Sequence, residues 1–126
     1  MALTRKLNVI TLPAATDLSS NQFMGLYVAD DGQVDVNAAP TTATPFIGIL
    51  MNKPDAENKA AEIAIVGSVV KMEAGAAIAE RDMITGVTGG RGSATTTDNT
   101  FIVGYALTPA SASAELFEVV VNPGRY

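Results

Sequence analysis

Apolar residues in this chain come in short runs in which every second position is apolar, broken by Gly, Pro, Asp, Asn and Thr. The clearest run is Ala61-Glu62-Ile63-Ala64-Ile65: in a strand, Ile63 and Ile65 share one face and Glu62 and Ala64 the other. Gly67 interrupts the run, as a glycine at a bulge or bend does, and Val69, Val70 and Met72 resume it. Glu73-Ala74-Gly75 turns the chain and Asp82-Met83-Ile84-Thr85 begins a return strand. Residues 76–81 have room for one helical turn at most, and Ile78 reads as a plug at one end of a barrel.

The same alternation predicts the other elements. Residues 7–12 have strand composition, ended by Pro13, and Asp17-Leu18-Ser19-Ser20 resembles a cap and a short helical turn. Residues 23–29 form a strand with Phe23 and Tyr27 on one face and Met24, Leu26 and Val28 on the other. Asp30-Asp31-Gly32 is a hairpin signal, with Val34 and Val36 on the return. Residues 37–45 read as a loop, residues 46–51 as a strand covered on both faces, and residues 52–60 as a charged, exposed tip. Residues 86–99 are a glycine- and threonine-rich connection. Residues 101–107 and 115–121 are the last strands, the second stopped by Asn122-Pro123-Gly124. No stretch carries a helix-length 3.6 periodicity. The fold class is therefore all-β: a small single-domain β-barrel or sandwich with long loops and at most one or two short helical turns. Its parts are residues 1–12, an N-terminal arm or first strand, and residues 13–126, the β-rich domain. The expected core is Phe23, Phe46, Ile63, Ile65, Met72, Val103, Tyr105, Phe117 and Val119.

One internal echo is visible. Phe46-Ile47-Gly48-Ile49-Leu50, a loop and Ala61-Glu62-Ile63 resemble Ile102-Val103-Gly104-Tyr105-Ala106, a loop and Ala114-Glu115-Leu116. The echo reads either as two hairpins related by a pseudo-symmetry or as chance likeness between β-hairpins.

Composition narrows the function more than the fold. Of 126 residues, 48% are hydrophobic and 17% charged, against about 25% charged in an ordinary soluble domain. A charge deficit on so small a body implies surface covered by protein, through oligomerisation or docking. The net charge is −5 and the eight Lys and Arg are scattered, which argues against a nucleic-acid partner. No apolar run approaches the ~20 residues of a membrane span. The start is read as that of a mature product made in the cytoplasm, since its apolar stretch is shorter than a signal sequence needs. There is no His and no Cys, which removes imidazole and thiolate catalysis and the usual soft metal ligands. Asp30, Asp31 and Asp35 could be weighed as a calcium cluster, but they lie in tight-turn context without the twelve-residue loop pattern. Gly90-Arg91-Gly92-Ser93 has no lysine before the serine and so is no phosphate loop. No catalytic residue, cofactor or metal is expected, and the chain is read as a non-enzyme.

In order along the chain, Phe46-Ile47-Gly48-Ile49-Leu50, then Val66-Gly67-Ser68-Val69-Val70-Lys71-Met72-Glu73-Ala74-Gly75-Ala76-Ala77-Ile78, Asp82, Val103-Gly104-Tyr105-Ala106-Leu107, and Ala114-Glu115 leading into Val119-Val120-Val121-Asn122-Pro123-Gly124 resemble the capsid decoration, or cement, proteins of tailed bacteriophages. The likeness covers most of the chain from about Phe23 onward; the family carries a glycine before the aspartate where this chain has Arg81. The resemblance implies a β-rich homotrimer on the capsid exterior of the virion that clamps neighbouring subunits of the major capsid protein. The alternative is a head-fibre or host-surface-binding module, with exposed loops at residues 37–45 and 86–99. The candidate capsid-binding residues are Arg5, Lys6, Leu7, Val9, Ile10 and Leu12. Two readings of them stand: an arm that adds as a strand to a neighbour's sheet, Arg5 and Lys6 meeting acidic groups there, or an ordinary first strand.

Overall fold

The computed structural model describes residues 2–37 and 44–126. Among the described residues ten strands form: β1 Val9–Pro13, β2 Gly25–Val28, β3 Val34–Val36, β4 Gly48–Leu50, β5 Ala60–Ala64, β6 Val69–Glu73, β7 Met83–Val87, β8 Arg91–Ala94, β9 Phe101–Ala106 and β10 Leu116–Arg125. They make two five-stranded sheets, ordered β1-β5-β4-β2-β3 and β6-β10-β9-β7-β8, paired antiparallel throughout. Among the described residues the helical content is two 3-10 turns, Asp30–Gly32 and Thr88–Gly90. The chain is all-β and sandwich-like, as its alternation predicts.

The two sheets are the same unit built twice in succession. Strand for strand the order repeats, and so does the register. Gly25 faces Ile49 and Leu26 faces Gly48 in the first sheet; Met83 faces Tyr105 and Ile84 faces Gly104 in the second. Ile49 with Ala64 and Leu50 with Ile63 recur as Tyr105 with Val120 and Ala106 with Val119. Single parallel bridges, Ala14 to Val34 and Ala74 to Gly92, bring the first strand of each sheet round to its last, so each sheet curls on itself. The irregular backbone repeats too. Phe23 and Arg81 have φ of 68° and 71°, and their N–H groups donate to Leu50 (2.7 Å) and Ala106 (2.8 Å) carbonyls. Asn58 and Ala114 have φ of 67° and 72° and donate to the carbonyls of Ala14 (2.8 Å) and Ala74 (2.7 Å). The echo is thus a true internal repeat, with one correction: Ala61-Glu62-Ile63 correspond to Phe117-Glu118-Val119, not to Ala114-Glu115-Leu116, because the register rather than the letters sets the equivalence.

Each half has its own core. In the first, Leu26, Val34, Leu50, Ala61 and Ile63 close around Leu18. In the second, Met72, Ile84, Val103, Phe117 and Val119 close around Ile78, and Phe46, Ile49 and Ala64 of the first half join this cluster. Strand β4 is buried on both faces for that reason: Leu50 lies in the first core and Ile49 in the second.

Several expectations need correction. Tyr105 is exposed rather than core, and Phe23 and Ile65 are half-buried. A regular strand would put Tyr105 beside Val103, but the register slips alongside Gly104, so Val103 turns inward and Tyr105 outward. Residues 86–99 are not all loop: β8 runs through Arg91–Ala94. Its apolar signal is missing because a Cβ at Gly92 would meet Ile84, Met72 and Phe117, which already fill that space. Asn122-Pro123 does not stop β10. A bulge between Val121 and Gly124 takes up these residues and pairing resumes to Arg125. Residues 76–81 form a bend in which Ile78 pairs with Ala110, without a helical turn. Of the expected loop at 37–45, residues 38–43 lie outside the described residues.

Phe117 is wholly buried at the centre of the second core. Phe117→Ala is expected to lower the unfolding free energy by about 3–5 kcal/mol in urea denaturation; a loss below about 1 kcal/mol would place the core elsewhere. Arg81, exposed and left-handed, carries the strain of a side chain at positive φ, about 1–2 kcal/mol. Arg81→Gly should therefore gain roughly 0.5–1 kcal/mol after glycine's larger unfolded-state entropy is set against that relief, read as a raised Tm.

Candidate functional site

The N-terminal residues reach across to the second sheet. Ahead of Asn8, which still accepts from the Ile65 N–H of its own half at 2.9 Å, the chain passes to β6, an edge strand with backbone groups to satisfy. Arg5 and Lys6 N–H donate to the Val69 carbonyl at 2.8 and 3.3 Å, and Val69 N–H donates back to Lys6 at 2.9 Å. Asn8 N–H donates to Ser68 Oγ (2.9 Å), whose hydroxyl donates to the Asn8 carbonyl (3.1 Å). This is strand addition onto an edge, with the chain's own second half as the receiving sheet.

The arm is pinned by Glu118, a carboxylate in the middle of the otherwise apolar run of β10. Arg5 Nε donates to Glu118 Oε1 at 2.6 Å and Nη2 to Oε2 at 3.4 Å, while Leu3 N–H donates to Oε2 at 3.0 Å. Glu118's side chain is 0% exposed and Arg5's 53%. The counterpart of Glu118 in the first half, Glu62, is exposed; the arm is what covers the second copy. Hydrogen bonds from Arg5 hold the Glu118 carboxyl below its usual value, burial opposes this, and the Leu3 N–H and the Arg5 charge add to the lowering. Asp17 and Glu115 are also held low, by the Ser19 and Ser111 hydroxyl and N–H. Those are surface turns rather than parts of a site.

The six candidate residues do not share one face. Arg5 meets an acidic group of its own chain, and Lys6 pairs through its backbone with Val69. Ile10 and Leu12 stand opposite Ile63 and Ala61, on the side of the first core, whereas Val9 stands opposite Ala64. Leu7, Val9 and Ile10 are exposed and Leu12 is half-buried. Sequence reasoning passed over Glu118, although one charge inside a strand of buried residues was the available signal. It also passed over a second feature: a row of apolar side chains on the outer face of the second sheet, Met83, Tyr105 and Val120 directly opposite one another.

Among the described residues, the serine hydroxyls that bond carboxylates, Ser19 with Asp17 and Ser111 with Glu115, lie in exposed surface turns. A surface depression of about 370 Å³ is lined by Ser19, Ser20, Gln22, Phe23, Lys53 and Glu73 among others, and the nearby Arg91 is paired with Glu73 at 2.6 Å. Among the described residues no three acidic side chains converge as metal ligands, and no helix is long and apolar enough to cross a membrane.

No family model and no curated protein matches the chain. Its fold is similar to that of the head fiber gp8.5 N base of bacteriophage phi29, with 19% sequence identity and a TM-score of 0.67 over 92% of this chain and 94% of that one.

The lowered Glu118 pKa implies that the arm loosens in acid. Its folded pKa lies below the ordinary glutamate value of 4.5, so the stabilisation is complete above that value and is lost as pH falls through the lowered folded one. Protection factors of the Arg5, Lys6 and Val69 amides, which allow for the intrinsic slowing of exchange in acid, are expected to fall as pH drops below the ordinary glutamate value while the second core stays protected, and Glu118→Gln should remove that acid step. Protection unchanged down to about pH 2 would show that backbone pairing alone holds the arm.

Proposed function

We propose that this chain is a structural protein of a tailed-phage virion that seats on the outside of the head. The observation that carries the reading is the fold likeness to a head-fibre base over nearly the full length of both chains. It favours a base domain from which a fibre projects. A second reading, a decoration protein clamping adjacent major capsid protein subunits, draws on the ordered motifs from Phe46 to Gly124 that resemble the cement proteins. Both readings describe a non-enzymatic, multivalent attachment in which modest contacts from a homotrimer sum to tight binding. Both take the major capsid protein as partner, with neither nucleic acid nor membrane. Of the expected capsid-facing residues Arg5, Lys6, Leu7, Val9, Ile10 and Leu12, the reading keeps Leu7 and Val9, whose apolar side chains are exposed, together with the arm residues Arg5 and Lys6 ahead of them.

Cryo-electron microscopy of heads with and without the protein tests the reading. A fibre base occupies few sites and carries a projection; a decoration protein fills equivalent lattice positions at a fixed ratio. Absence of density for the chain on the head would overturn both. A chain lacking residues 2–6 keeps all ten strands and is expected to fold with a slightly lowered Tm yet bind heads at least tenfold more weakly. Undiminished binding would remove the arm from the contact.

A further inference from the structure

The internal repeat is complete in strand order and register but not in burial, and the differences fall into two complementary sets. Where the halves of the chain meet, the first presents the outer face of its sheet. Gly25 lies against Met72, a Cβ added there coming within 3.5 Å of its Cε. Ile49 and Ala64 are wholly buried in the second cluster beside Val70 and Met72. Next to them, Gly86 of the second half packs against Asn37 and Phe46 of the first. The joint therefore has an outer-face side (Gly25, Ile49, Ala64) and an edge side (Val70, Met72, Gly86).

Each of those six residues has a counterpart in the other half, and the counterparts are left uncovered or partly so. Those of the outer-face side are Met83, 38% exposed, Tyr105, 37% exposed, and half-buried Val120. Those of the edge side are Ile10, 36% exposed, half-buried Leu12, and Val28, 49% exposed. The chain thus carries the outer-face side of a joint open on its second half and the edge side open on its first, where Ile10 and Val28 are exposed and Leu12, like its counterpart Met72, also packs against the core of its own half. Two such surfaces cannot meet within one chain that already uses their equivalents for its internal contact; they can meet between chains.

We infer that a second copy of this chain docks head to tail on the outer face of the second sheet, its Ile10, Leu12 and Val28 against Met83, Tyr105 and Val120. The contact is heterologous, so repetition closes a ring or runs on as a filament. The joint between copies is wider than the one within a chain. Val28 stands where Gly86 lets the Asn37 carbonyl approach, and Met83 and Tyr105 replace Gly25 and Ile49. One hydrogen bond is also lost: Glu73 N–H donates to the Phe23 carbonyl at 3.0 Å within the chain, and at the equivalent position Pro13 has no N–H. The inference rests on the repeat and names the faces through which the homotrimer of the proposed function would form; seating on the head does not enter its test, so the two can fail separately.

The test uses the purified full chain and no capsid. Sedimentation across a concentration series should show assembly of the wild type, while Tyr105→Glu and Val28→Glu chains, each with a wild-type melting curve, stay monomeric. Each variant keeps the side of the joint that the other lacks, so an equimolar mixture should form a 1:1 dimer and stop there. Because the chain has no cysteine, a second measurement needs no background correction. Met83→Cys chains mixed with Leu12→Cys chains should cross-link as 1:1 pairs on oxidation, and neither should cross-link alone. A wild type monomeric at millimolar concentration, a mixture of glutamate variants that stays monomeric, or Met83→Cys chains that pair with themselves would overturn the inference.

Discussion

In both halves a glycine lets two strands come closer than any side chain allows. A Cβ at Gly48 would run into the Ala64 carbonyl, and one at Gly104 into the Val120 carbonyl. These contacts lie between β4 and β5 and between β9 and β10, the central pairs of the two sheets. Fixing them fixes the register of everything outward: β2 and β7 pair on one flank, β1 and β6 on the other. Short strands, several of three to five residues, gain little from pairing alone. The sheets hold because the close approach lets each one curl until its first and last strands touch, enclosing a core from one side and its own loops.

Once the central pair is set, the distribution of polar groups follows. A curled five-strand sheet this small encloses few side chains, so buried polar atoms must be satisfied locally. Thr85 donates to the Phe101 carbonyl at 3.0 Å, Ser68 to Asn8, and Asn37 to Thr44 at 3.1 Å; among the described residues no buried side-chain polar atom lacks a partner. Glu118 is the exception in kind, being a charge. It is tolerable because two donors of the guanidinium and one backbone N–H reach it from the arm, and because Arg5 keeps half its side chain in water, which reduces the desolvation that a fully buried pair would incur.

What the sequence made legible divides along this line. Alternation located the strands whose two faces see different surroundings, as with Ile63 against Glu62 in β5. It also showed β4, apolar throughout, to be covered on both sides. It failed where a neighbour supplies the bulk. The sequence of β8 reads Arg-Gly-Ser-Ala because Met72, Ile84 and Phe117 already occupy the space beside Gly92, and no pattern internal to β8 records that. Tyr105 was misplaced for a related reason: its facing depends on a register slip in β10, a property of the pair and not of either strand. The arm's partner was hidden because Arg5 and Glu118 are distant in sequence, though an isolated carboxylate in an apolar strand pointed to a buried cation. The internal repeat was visible only at its glycine strands, since those are the positions where backbone geometry restricts the residue type.

A repeated unit whose copies do different work is constrained differently in each copy. In the first half the outer sheet face must be small and apolar to receive the second half, hence Gly25 and Ala64. In the second half the same face is free of that demand and carries Met83, Tyr105 and Val120, larger and still apolar. A solvent-facing sheet without a partner is ordinarily polar on its outer side, and a chain with 17% charged residues and a net charge of −5 does not lack acidic groups to place there. Some are placed elsewhere: Asp55, Glu57 and Lys59 crowd the tip of the β4–β5 connection. On the outer face of the second sheet the row of Met83, Tyr105 and Val120 therefore stays apolar, although Glu118 and Lys71, opposite each other, share that face. Where that face carries a charge, at Glu118, the arm covers it with Arg5 and the Leu3 N–H; where it carries Met83 and Tyr105, the apolar side chains stay exposed.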